Sequence, residues 1–274
     1  MDEKRFNPLP GFGLTMGYTV LYLGVIVLVP IGALVLKASA LTWGQLWELA
    51  TNGRALAAYR LTFGASLVAA LINAGCGALL AWVLTRYEFP GRRWLDALVD
   101  FPFALPTAVA GLTLANLFAA QGWLGRFLVP LGIAGAFTPL GVVIALTFVG
   151  LPFVVRSLQP VLANLEREVE EAAATLGASR LRTFCAIIAP SLLPTVLTGF
   201  ALAFARAVGE YGSIVFISGN LPFKTEIAPY LIVIRLEEFD YAGATAIASV
   251  LLVLSFVILG LVNALEGWAN RWQG

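Results

Sequence analysis

The chain has 274 residues, 59% of them hydrophobic and 12% charged, with a mean hydropathy of +0.88; a soluble domain of that size needs far more polar surface, so the composition excludes one and points to a bilayer. A formal net charge of +1, with 17 basic residues scattered rather than striped, leaves no electrostatic footprint for nucleic acid. The absence of histidine removes His-based zinc sites, Ser-His triads and haem axial ligation together.

Crossing roughly 30 Å of hydrocarbon at 1.5 Å per residue takes about 20 mostly apolar residues. Six segments meet that length, near 14–36, 61–84, 98–119, 138–158, 193–217 and 243–265. The first starts soon after Met1 but is too long for a signal peptide and has no small-residue cleavage site, so it reads as a retained span. Cys76 lies in the second span and Cys185 in a charged segment, at different depths, which argues against a disulfide; both read as small buried apolar residues. The third span, FPFALPTAVAGLTLANLFA, is interrupted by Pro102 and Pro106. These remove helical hydrogen bonds and should kink or delay the helix, with the irregular backbone facing protein rather than lipid.

Lys and Arg fall unequally on the two sides that six spans define. Lys4, Arg5, Arg86, Arg92, Arg93, Arg156, Arg167, Arg180, Arg182 and Arg271 share one side, against Lys37, Arg54, Arg60, Arg126, Lys224 and Arg235 on the other. Basic loops are retained in the cytoplasm, so both termini and the 164–190 segment are expected there. No fixed-period repeat or low-complexity tract divides residues 1–274, which read as one integral-membrane domain.

The segment NLEREVEEAAATLGASRLRTFCAIIAP, Asn164 to Pro190, gathers charge between the fourth and fifth spans. Leu165, Val169, Ala172 and Leu176 recur at spacings of four, three and four, a narrow apolar stripe on one helix, while Glu166, Glu170 and Glu171 face elsewhere. Asn164 is placed to cap the start, and the early glutamates suit the positive end of the helix dipole. Gly177 suits a left-handed stop. A second short helix is expected to begin after Ser179 and end before Pro190. Composition leaves open whether this is a solvated connector or a docking element.

The fifth span carries Arg206 and Glu210, four residues apart and able to neutralise each other. Arg206 lies 16 residues beyond Pro190, roughly 24 Å along a helix. One reading is an ion pair that stabilises packing; the other makes Arg206 part of an anion path, with Glu210 limiting how tightly an anion is held. Gly209, Gly212 and Ser213 would allow close helix contacts or a backbone break beside the pair. Asn220 and Thr225, in the outer loop that follows, read as turn or cap residues with spare donor capacity. APYLIVIRLEEF at 228–239 has too few apolar residues to span and reads as an outer interfacial helix.

The pattern Glu171-Ala172-Ala173, three residues, Gly177, nine residues, Ile187, then Pro190 resembles the EAA signature of permease subunits in ATP-binding-cassette importers. It departs at Ala189, where leucine usually precedes the proline. LTRYEFPGRRWLDALVDFPFALPTAVAGLTLA at 84–115 and GEYGSIVFISGNLPFKTEIAPYLIVIRLEEFDYAGATAIA at 209–248 are similar to the T-type permeases of sulfate/thiosulfate importers, nearly end to end. The resemblance implies an all-α, six-span, type I importer permease fold in a bacterial inner membrane. It also implies that Glu170, Glu171, Ala172, Ala173 and Gly177 form the coupling helix that enters a groove on an ATPase subunit. The implied partners are a second homologous permease, two copies of a cytoplasmic ATPase, an extracytoplasmic sulfate-binding protein and membrane lipid. On that reading Arg206, Glu210 and Ser213 are the candidate anion path.

No G-x-x-x-x-G-K-[ST] loop occurs, since Lys224-Thr225 follows Phe223 where glycine is required; the chain is not expected to be an enzyme or to hold a cofactor, with ATP and Mg on the partner ATPase. A permease for molybdate or tungstate is the near alternative. An ATP-independent carrier or channel using Arg206 and Glu210 is the alternative of another class.

Overall fold

Nine helices carry the description that follows: α1 (Phe12–Ser39), α2 (Gly53–Arg86), α3 (Arg92–Val99), α4 (Thr107–Phe118), α5 (Pro139–Asn164), α6 (Arg167–Thr175), α7 (Arg180–Val208), α8 (Ala228–Glu237) and α9 (Tyr241–Asn270). They come from a computed structural model that describes residues 12–165 and 167–270; among these, every regular element is helical. The expectation that both termini share one side, and that Glu166 faces away from the apolar stripe, concerns residues outside that range.

Helix starts follow local chemistry. The Asn52 side chain accepts the Ala55 N–H at 2.9 Å to open α2, and Thr138 caps α5 by accepting the Gly141 N–H at 3.3 Å, with Pro139 at the first helical position. Two helices contain a π turn, Gly24–Leu28 in α1 and Phe184–Ile188 in α7, and in each a proline follows two residues later, Pro30 and Pro190. The wider turn moves the carbonyl that the proline ring would strike, so the helix runs on. For that reason the second half of the charged segment does not form a separate helix ending before Pro190. It is the first part of α7.

α2, α5 and α7 pack against one another as the centre of the molecule. Their contact is made by small residues. A Cβ on Gly77 of α2 would sit 2.9 Å from Val154 Cβ, and one on Gly199 of α7 would sit 2.9 Å from Val154 Cα, so the fully buried Val154 of α5 is wedged between two glycines. α8 and the short helix Trp43–Thr51 pack on α9, and α1 touches α9 while burying none of its own residues.

Five helices, α1, α2, α5, α7 and the Tyr241–Val262 part of α9, are long and apolar enough to cross a membrane. Two expected spans differ from this. The third, placed at 98–119, is split at Leu105 and Pro106 into a turn of helix, Phe101–Ala104, and the 12-residue α4. Pro102 is buried, as irregular intramembrane backbone requires, whereas Pro106 is exposed on this chain. The fifth, placed at 193–217, ends at Val208; Gly209–Ser213 turn, and Ile214–Ile217 is a separate short helix. The 228–239 stretch is helical as expected, but Ala228 and Leu231 are buried in a core with Tyr59 and Ile247 rather than lying on a surface.

Both cysteines are unbonded and exposed on the chain's surface, contrary to the buried reading. In a membrane protein an apolar neighbourhood marks lipid or a partner as readily as an interior.

The broken third span is held by an unusually close contact. A Cβ on Gly111 of α4 would lie 2.1 Å from the Ser213 carbonyl oxygen, and one on Gly212 would lie 2.2 Å from Thr107 Oγ1. Gly111→Ala is expected to destabilise the fold by about 3 kcal/mol, because backbone rather than a flexible side chain must yield. Gly75→Ala, whose Cβ meets nothing within 4 Å, should leave stability near wild type. The thermal midpoint of the detergent-solubilised complex decides between them; equal midpoints would show that the α4 contact is looser than described.

Candidate functional site

The charged segment forms an elbow at one end of the bundle. α6 ends in a left-handed turn with Gly177 at φ +79°, as its sequence anticipated, and the Ala178 N–H bonds the Ala173 carbonyl at 3.0 Å to close it. Ser179 then caps α7, its Oγ accepting the Arg182 N–H at 3.3 Å. Asn164, expected to cap the start of α6, is instead the last residue of α5. The apolar stripe is not buried either. Leu176 is 87% exposed, Val169 and Ala172 are exposed, and only Leu165 packs into the central core. Ala173, one position off the stripe, is the residue that turns inward.

The expected coupling residues therefore split. Glu170 accepts a 2.7 Å bond from Arg86 Nη2 at the end of α2, where the Arg86 guanidinium also lies 5.4 Å from the Trp82 ring. Trp82 meets Phe184 of α7 edge to face at 5.8 Å. These contacts fix α6 to α2, and α2 in turn to α7. Glu171, Ala172, Leu176 and Gly177 face away from the chain. A hollow of about 450 Å³ opens beside them, lined by Trp82, Glu170, Glu171, Arg180 and Phe184. The elbow is anchored on its inner side and uncovered on its outer side.

The second candidate cluster lies where α7 ends. Arg206 is in the last turn, and its Nη1 donates to Glu210 Oε2. Glu210 is 2% exposed; its other oxygen accepts from the Ser213 N–H at 2.8 Å and the Ser213 hydroxyl at 2.9 Å. The pair expected on one helix face thus forms across a helix end, with Ser213 serving Glu210 rather than standing free. Arg206 keeps 35% of its side chain exposed. The close α4 contact at Gly111 and Gly212 sets the break of the third span against this turn. Asn220 and Thr225 are turn residues: Asn220 donates to the Val215 carbonyl, and Thr225 Oγ1 accepts the Leu221 N–H.

Two further polar contacts, besides Arg86 with Glu170, went unread in the sequence. Arg156 of α5 binds Asp96 at 2.8 Å and both oxygens of Asp100, and Gln159 also donates to Asp96 at 2.8 Å. The Gln159 amide and the Arg156 guanidinium together hold the Asp96 carboxyl below its usual range, against the opposing effect of burial. Asp96 and Asp100, four residues apart, and Arg156 and Gln159, three apart, hinted at shared helix faces but not at each other. Arg54 makes a two-pronged contact with the buried Glu226 at 2.7 and 2.8 Å. Their separation of 172 residues left no local trace.

A family model described as the binding-protein-dependent transport system inner membrane component matches residues 73–271. The chain belongs to this family. It is 56% identical, over 100% of its length and 99% of the relative's, to the sulfate transport system permease protein CysT of Synechococcus elongatus. To the protein of the same name in Escherichia coli it is 49% identical, over 96% of this chain and 95% of the other. The fold matches a chain of a bacterial ABC transporter involved in the import of the acidic polysaccharide alginate with a TM-score of 0.77 at 14% identity, over 93% of this chain and 94% of that one. It also matches the MetNI methionine ABC transporter, with a TM-score of 0.57 at 15% identity, over 84% and 99%. The all-α importer-permease fold expected from the sequence is the one found. Family membership makes the chain an inner-membrane component of a binding-protein-dependent transport system.

Proposed function

We propose that the chain is the permease subunit of a sulfate importer, forming half of the anion path and driven by a cytoplasmic ATPase that binds ATP and Mg. The observation that carries this is the elbow: an EAA-type segment fixed to α2, and through it to α7, by Glu170, Arg86, Trp82 and Phe184, with Glu171, Ala172 and Leu176 left uncovered. An exposed leucine beside a carboxylate and small residues suits a groove on a protein partner, which lipid or solvent would not explain. The relatives named as sulfate permeases support the choice of anion. The remaining partners are a second homologous permease, a second ATPase copy and an extracytoplasmic binding protein.

At the other end, Arg206 is the cation of the path. Irregular backbone within an apolar slab is tolerated where it is buried in protein or lines a cavity, and two breaks meet beside this residue. Glu210 tempers the guanidinium so that a dianion is held weakly enough to leave. Proteoliposomes holding the assembled complex should take up labelled sulfate only with ATP inside and binding protein outside. Uptake without ATP would instead identify a secondary carrier, and preference for molybdate would change the anion.

The proposed orientation puts both termini and the elbow in the cytoplasm. In a background lacking Cys76 and Cys185, single cysteines near Arg180 should react with a membrane-impermeant maleimide only from the cytoplasmic side, and those near Lys224 only from outside. The reverse pattern would invert the topology.

A further inference from the structure

At the same end of the bundle as the elbow, α3 is an eight-residue helix with two distinct faces. Asp96 and Val99 turn inward, Asp96 to Arg156 and Gln159, Val99 into the central core at 2% exposure. Outward, Trp94 is 79% exposed, with Leu95 and Leu98 beside it, and the apolar surface continues through Phe101 and Phe103 toward the third span. At the head of this face stand Arg92 and Arg93. Among the described residues neither forms an ion pair, although Arg54, Arg86, Arg156, Arg206 and Arg235 all do.

The two guanidinium groups separate two hollows. One of about 460 Å³ is lined by Thr85, Arg92, Arg93, Asp96 and Gln159; the other, of about 340 Å³, by Glu88, Phe89, Arg92, Arg93 and Trp94. Asp96 hydrogen-bonds Arg156 and Gln159 and reaches Arg92 only through its charge, without a direct contact. Glu88 is the remaining acid, at the far edge of the smaller hollow.

We propose that Arg92 and Arg93 bind the phosphate of an anionic phospholipid, with Trp94, Leu95 and Leu98 seated at the boundary between its headgroup and acyl chains. Two adjacent cationic side chains attract the phosphate of an anionic headgroup through their charge, by about 1 kcal/mol each. The exposed tryptophan and leucines beside them require an apolar cover, which a lipid supplies and a free anion does not. The short helix is pinned to α5 by Asp96 and Val99, so a headgroup held there fastens the break before α4 to the membrane surface.

The test is native mass spectrometry of the whole transporter after reconstitution in equimolar phosphatidylcholine and phosphatidylglycerol vesicles and mild extraction. The wild-type complex should retain phosphatidylglycerol. Arg92→Gln with Arg93→Gln should lower that retention by roughly fivefold for each arginine lost. Arg92→Lys with Arg93→Lys should keep most of it, which separates lost charge from lost fold. Three results would overturn the proposal: unchanged retention in the glutamine pair, equal loss in the lysine pair, or displacement of the lipid by millimolar inorganic phosphate, which would mark a free-anion site. Unchanged retention with weaker co-purification of the ATPase would assign the arginines to that subunit instead.

Discussion

The paired substitution Arg206→Met with Glu210→Gln should assemble with its partner subunits at wild-type yield and take up sulfate more than about tenfold slower. The choice of residues follows from the bonds at the end of α7. Replacing both by leucine would remove the charges but orphan the Ser213 N–H and hydroxyl, which both donate to Glu210. Each buried donor left unpaired costs roughly 1–3 kcal/mol. Glutamine keeps an oxygen for Ser213, and methionine fills the volume of the arginine stem, so no charge is stranded. What disappears is the cation. A contact to a charged group is worth roughly 1.5–3 kcal/mol, and each 1.4 kcal/mol is a factor of ten. Glu210→Ala alone is expected to be worse for a different reason. It strands Arg206 and Ser213 together at about 3–5 kcal/mol, and the complex should fail to assemble. Sulfate uptake near wild type in the assembled double variant would leave the pair as packing.

Glu171→Lys should purify at normal yield while ATP hydrolysis stimulated by the binding protein falls by about tenfold or more. Glu171 is exposed and forms no hydrogen bond or ion pair among the described residues, so reversing its charge leaves the elbow intact and places a cation where a partner expects an anion. A like-charge juxtaposition at an interface costs several kcal/mol. Glu170→Lys gives the useful contrast. It sets an ammonium against the mostly buried Arg86, 2.7 Å from the carboxylate it loses, so its first effect should be on stability. If Glu171→Lys lost yield as well, or kept full stimulation, the division between an anchored and a docking carboxylate would be wrong.

Which parts of this were legible beforehand depends on the range of the interaction. The long apolar helices were visible because hydropathy reports transfer into lipid residue by residue. The split at Leu105 and Pro106 was visible through its prolines, and the left-handed turn at Gly177 through its glycine. The end of α7 at Val208 was legible only as the break that Gly209, Gly212 and Ser213 would allow; the span was carried on to 217 because Ile214–Ile217 is apolar again and hydropathy does not register a change of backbone direction. The Arg206–Glu210 pair was legible at four residues' spacing. Arg86 with Glu170, Arg156 with Asp100 and Arg54 with Glu226 were not, since only the packed fold brings them together. The exposed cysteines misled because, in a subunit built to meet lipid and other chains, apolar character does not distinguish inside from outside.

The wedge of Val154 against Gly199 also has a mechanical meaning. α7 runs from the elbow, through its π turn, to Arg206, and at Gly199 it comes close enough to Val154 to leave no room for a Cβ. From Arg180 to that point is about 28 Å of helix, and from there to Arg206 about 10 Å, at 1.5 Å per residue. A rod resting on such a fulcrum is a lever with unequal arms. If α7 pivots there in the proposed assembly, a sweep applied at the elbow would arrive at the guanidinium reduced to about a third, and with correspondingly greater force.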